Sequence, residues 1–97
     1  MSTLHVLSHS PFGDNRLTSC LRVLGKQDAL LLCGDATYAL QAGTVPFELL
    51  RGSGVNLFIL AEDLQARGLH LPNWVEAVDY PAFVELSIRH DKVNTWL

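Results

Sequence analysis

The sequence predicts an α/β fold: one small three-layer α/β/α domain over residues 1–97, built on a mainly parallel sheet of four to five strands. Three observations lead there. Short apolar runs alternate with amphipathic stretches at least three times, the order that right-handed strand–helix–strand crossovers produce. The central run Ala29–Cys33 is continuously apolar, as a strand covered on both faces requires. Glycines, prolines and capping residues fall between the runs, and no repeat, low-complexity tract or linker divides the chain.

Leu4-His5-Val6-Leu7 reads as the first strand, closed by Ser10-Pro11 and Gly13, because proline cannot donate to a ladder. Asp14 is placed to cap a helix on which Leu17, Cys20, Leu21 and Leu24 fall at i, i+3, i+4 and i+7, one apolar stripe ended by Gly25. Asp28 precedes the central parallel strand Ala29–Cys33. Asp35 is a suitable N-cap for a short helix from Ala36 to about Ala42, stopped by Gly43. Pro46 opens another turn or two through Phe47, Leu49 and Leu50. Gly52-Ser53-Gly54 marks a loop before the third strand, Val55–Leu60. Glu62–Arg67 is a short helix ended by Gly68, Val75–Val78 a weaker fourth strand, and Pro81–His90 a last helix with Phe83 and Leu86 on one side. The tail Asp91–Leu97 carries Trp96 with no local pattern to place it.

Composition excludes several functions. The chain is 48% hydrophobic but only 18% charged, below the roughly 25% of an average domain, which argues against disorder and for a covered partner face. Seven basic against ten acidic residues give a net charge of −3, without the Lys/Arg cluster that direct nucleic-acid binding uses. No apolar run approaches the roughly 18 residues of a membrane span, and no secretory leader is visible. Cys20 and Cys33 form no CxxC motif, so a reduced, cytoplasmic protein is expected.

Cys33 ends a strand where ligands of open α/β sheets gather, with a helix start behind it. A helix dipole contributes only about 0.3–1 kcal/mol, lowering a thiol pKa by less than about one. Burial in the leucine run and the adjacent Asp35 carboxylate oppose it. Cys33 therefore reads as a small hydrophobe at a strand end, and Cys20, on the apolar stripe of its helix, as core. His5 and His9 are four apart, but in a strand that separates them by about 13 Å, too far to share a metal. His70 and His90 have no partner at a metal spacing, and Glu62-Asp63 reads as acidic complement to a helix start. Gly52-Ser53-Gly54 precedes a strand, whereas a dinucleotide fingerprint follows one.

Three stretches carry a family resemblance: "LHVLSHSP" (Leu4–Pro11), "EDLQARGL" (Glu62–Leu69) and "VDYPAFVELSIRH" (Val78–His90) with Trp96. Over nearly the whole chain the sequence resembles the TusB/DsrH family of sulfur-relay proteins. The resemblance implies a DsrE/DsrF-like α/β fold and a place in a hetero-hexamer with TusC/DsrF-like and TusD/DsrE-like subunits. It implies passage of persulfide sulfur between carrier proteins toward the 2-thio group of a tRNA wobble uridine. From the residues themselves, no cofactor or metal is expected. The persulfide-carrying cysteine belongs to the TusD/DsrE-like sister, so this chain is expected to be structural and non-catalytic. Alternatives are a DsrH-like subunit of a sulfur-oxidation relay, or a persulfide-carrying sulfurtransferase using Cys20 or Cys33. Under the DsrH-like reading Cys20 is the better candidate, because some relatives carry a cysteine in this first helix.

Overall fold

A computed structural model describes residues 2–13 and 15–96. The elements run β1 (Thr3–Leu7), α1 (Arg16–Val23), β2 (Ala29–Leu32), a 3₁₀ helix (Gly34–Leu40), α2 (Val45–Ser53), β3 (Asn56–Leu60), α3 (Ala61–Ala66), β4 (Glu76–Val78), α4 (Tyr80–Arg89) and β5 (Lys92–Trp96). All strand pairs are parallel and the order across the sheet is β4-β3-β2-β1-β5. The expected mainly parallel α/β sheet is therefore present.

Side-chain alternation along the strands sorts the core into two layers. Leu7, Leu30, Leu32, Leu57 and Ile59 face a layer completed by Leu17 and Cys20 of α1, Ala36, Ala39 and Leu40 of the 3₁₀ helix, Leu50 of α2 and Leu64 of α3. Leu4, Val6, Ala29, Leu31 and Phe58 face the opposite layer, which Leu86, Ala82 and Phe83 of α4 cover. Leu30, Leu31 and Leu32 are completely buried, which explains why β2 tolerates no polar alternation. Burying each stabilises the fold by about 1.5–3 kcal/mol relative to leaving it exposed.

The unequal layers follow from crossover handedness. From β1 to β4 the chain steps one way across the sheet, and right-handed connections put each intervening helix on the same face. From β4 to β5 it returns past three strands to the far side of β1, so α4 must lie on the other face. One helix then covers a layer opposite four helical segments.

Several local expectations are corrected. The segment after Cys33 is a 3₁₀ helix beginning at Gly34, with Cys33 at its N-cap, so Asp35 lies inside the first turn and does not cap. The cause is Gly34, whose φ of +53° turns the chain at once; a Cβ there would stand 3.2 Å from the Ser8 carbonyl. The helix opened by Pro46 runs for nine residues from a Thr44 cap that accepts the Phe47 N–H. It absorbs Gly52 and Ser53, which were expected in a loop, and stops at the left-handed Gly54. Asp14, the expected cap of α1, lies outside the described residues; Asn15 occupies the cap position without a side-chain hydrogen bond. The tail, in which no element was expected, is the edge strand β5.

Candidate functional site

The C-terminal ends of β1, β2 and β3 converge, and Cys33 lies among them. Its backbone N–H donates to the Leu7 carbonyl at 3.0 Å, and its Sγ donates to the same oxygen at 3.5 Å. The thiol is thus half-buried and engaged as a donor. Below it the Gly34 N–H donates to Asp63 Oδ2 at 2.8 Å. Asp63 and Arg67 are one turn apart on and just after α3, where i, i+4 side chains meet. Arg67 donates to the Asp63 carbonyl at 3.2 Å and to Asp35 Oδ1 at 2.9 Å, with its guanidinium 5.6 Å from the Tyr38 ring centre. The cluster fastens the turn after β2 to the helix after β3.

This geometry sets the charge on the thiol. Burial pushes the Cys33 pKa up, the Asp63 carboxylate pushes it further, and the Arg67 guanidinium pulls the other way. The sequence-based expectation named the wrong acid: Asp63, not Asp35, acts on Cys33, because Asp35 turns outward to Arg67. It also missed Arg67, which is distant in sequence and arrives through the fold. The "EDLQAR" spacing of Asp63 and Arg67 was the available signal. Glu62-Asp63 accordingly does more than complement a helix start, since Asp63 also accepts from Gly34.

Cys20 lies elsewhere, completely buried under α1. Desolvation, followed by the Asp28 carboxylate, pushes its pKa up to about 12. The two thiols are therefore not brought together, and both are held toward the protonated form. His5 is buried, His9 is exposed, and His90 Nδ1 donates to the Leu86 carbonyl at 2.8 Å. No three His, Cys, Asp or Glu side chains among the described residues form a metal-binding group. A groove of about 590 Å³ lined by Leu40, Phe47, Leu69, Leu71 and Pro72 lies apart from Cys33.

The sequence profile described as DsrH like protein matches residues 9–93. The chain belongs to the DsrH-like family. Curated relatives of this DsrH-like chain agree along its length. Protein TusB of Erwinia tasmaniensis is 37% identical over 95 residues, covering 96% of this chain and 99% of that one. Protein TusB of Pectobacterium parmentieri is 37% identical and that of Escherichia coli O81 36% identical, with the same coverage. Among solved structures, the ychN protein of E. coli superposes with a TM-score of 0.75, covering 99% of this chain and 100% of that one at 22% identity. That likeness shows the fold alone.

The DsrH-like chain also exposes an apolar surface that composition only hinted at. On α4, Tyr80, Val84 and Ile88 recur at i, i+4 and i+8 and are 56%, 53% and 77% exposed. No helix among the described residues is long and apolar enough to cross a membrane.

Proposed function

We propose that this chain is a structural, non-catalytic subunit of a cytoplasmic sulfurtransferase complex that supports persulfide transfer for 2-thiolation of the tRNA wobble uridine. Membership of the DsrH-like family and the TusB relatives support the sulfur-relay reading. The observation that carries the non-catalytic part is the state of the thiols. A persulfide carrier needs an accessible thiolate, whereas Cys20 is sealed in the core and the Cys33 thiol donates to the Leu7 carbonyl. The α4 stripe supports a subunit role, since Tyr80, Val84 and Ile88 form an exposed apolar row on one helix that a partner can cover. Its partners are a TusC/DsrF-like and a TusD/DsrE-like subunit in a hetero-hexamer, through which sulfur carriers dock.

Coexpression with those two related subunits tests the reading. The chain is expected to copurify with them, and the double variant Cys20→Ala, Cys33→Ser to leave sulfur transfer largely intact. Alanine suits Cys20 because a serine hydroxyl there would be buried without a partner. Loss of transfer with the assembly preserved overturns the non-catalytic role. Failure to copurify overturns the subunit role.

A further inference from the structure

Trp96, at the end of β5, donates its indole N–H to His5 Nδ1 at 3.1 Å. His5 Nε2 faces Asp28 Oδ2 at 3.5 Å on the other side. Indole nitrogen is only a donor, so Nδ1 must present its lone pair and the ring proton must sit on Nε2, toward Asp28. His5 is 5% exposed, and the described side chains of β5 before Trp96 are all exposed. Beyond its ladder to β1, then, β5 reaches the core through Trp96, which packs against the layer of Leu7 and Leu30 and donates to His5; of these two contacts the hydrogen bond is the one that responds to the proton on His5.

We propose that His5 is a proton-operated latch on the C-terminal strand. Neutral His5 accepts from Trp96 and holds β5 against β1. Protonation places a second N–H on Nδ1, so two donors face each other and the hydrogen bond that ties the indole to β1 is lost, which loosens β5. The proton comes from solvent and no covalent bond changes. The groups around the ring divide by element. From the entry to β2, the Asp28 carboxylate attracts the imidazolium, so the cation is held in place while Trp96 is released. From α1, Cys20, which feels the same Asp28 carboxylate, stays an uncharged thiol. From β5, Asn94 lies opposite His5 and Lys92 opposite Thr3; Lys92 is exposed and its charge is solvated. β2 presents Leu30 opposite His5.

NMR of the ¹⁵N-labelled full chain tests the latch between pH 8 and 5, the span in which histidine changes charge. The Trp96 indole N–H signal is expected to shift along the same curve as the His5 ring, while hydrogen-exchange protection falls about tenfold or more at the Asn94 amide, which like Lys92 points its N–H at β1, and β2 stays protected. His5→Gln keeps a carbonyl acceptor that does not titrate, so β5 stays protected at both pH values. His5→Phe removes the acceptor, so β5 is unprotected at both. A Trp96 signal that is flat over the whole interval overturns the proposal, as does an unchanged pH response in His5→Gln.

Discussion

Reaction of the two thiols with iodoacetamide measures the electrostatics of the candidate site directly. The thiolate is the nucleophile, so labelling follows its population. At pH 8 a thiol of ordinary pKa 9.0 is about one-tenth ionised, whereas one raised to about 12 is ionised in about one molecule in ten thousand. Cys20 is therefore expected to label about a thousandfold more slowly in the folded chain than in the same chain unfolded in guanidinium. Labelling through an opening of the α1 layer, in which the thiol regains its ordinary pKa, adds to the folded-state rate, so the comparison is made under strongly stabilising conditions. Cys33, half-buried with its carboxylate and guanidinium neighbours opposed, labels faster than Cys20 but slower than an unfolded cysteine. Asp63→Asn, which keeps an acceptor for Gly34, speeds Cys33; Arg67→Gln slows it. Peptide mass spectrometry after timed quenching separates the two sites. Labelling of Cys20 in the folded chain within about tenfold of its unfolded rate would refute the reasoning, as would an Asp63→Asn variant no faster than its parent.

Other perturbations reach the fold. Asp28 accepts from the Thr3 and Gly25 N–H groups at 2.9 and 2.8 Å, and these, Gly25 foremost, with His5, hold its pKa below the ordinary 3.8. A carboxylate lowered by folding stabilises fully above its ordinary value and loses that contribution as pH falls through its folded value. Asp28→Asn is accordingly expected to cost about 1–3 kcal/mol at pH 7 in urea melts, and to converge with the parent in strong acid. Leu31→Ala, at a completely buried site in the layer under α4, costs about 2–5 kcal/mol by the same measurement. Asp79 caps α4 by accepting the Ala82 N–H at 2.9 Å, so Asp79→Ala lowers stability by about 1 kcal/mol. Ile88→Asp leaves the monomer's melting unchanged but abolishes copurification with the related subunits, since Ile88 is exposed on the α4 stripe.

What was legible in the sequence was whatever burial wrote into it. β2 and β3 stand out because both their faces are covered, and α1 because its stripe meets the sheet. β5 left no such mark: as an edge strand with Lys92, Val93, Asn94 and Thr95 exposed, it carries neither a continuous apolar run nor a clean alternation, and only its pairing with β1 makes it a strand. Gly52 and Ser53 read as loop because glycine is a poor helix former, yet the Ser53 hydroxyl donates to the Leu50 carbonyl at 2.7 Å and the turn persists to Gly54. At the candidate site, Cys33's place at a strand end followed from the pattern. Its neighbours did not, because Asp63 and Arg67 reach it only when β3 is laid beside β2.

The pairing of the first strand with the last also bears on the order in which the protein acquires its structure. His5 and Trp96 are 91 positions apart, and closing a loop of that length costs about 4 kcal/mol in chain entropy before any contact rewards it. The β1–β2, β2–β3 and β3–β4 pairings close much shorter loops and can assemble while β5, which follows them in the chain, is still being synthesised. β5 docks onto a sheet that is already built, so it is expected to be the last strand to form on the ribosome and the first to fray in denaturant. Until it docks, the outer edge of β1 is an open template for pairing with another chain.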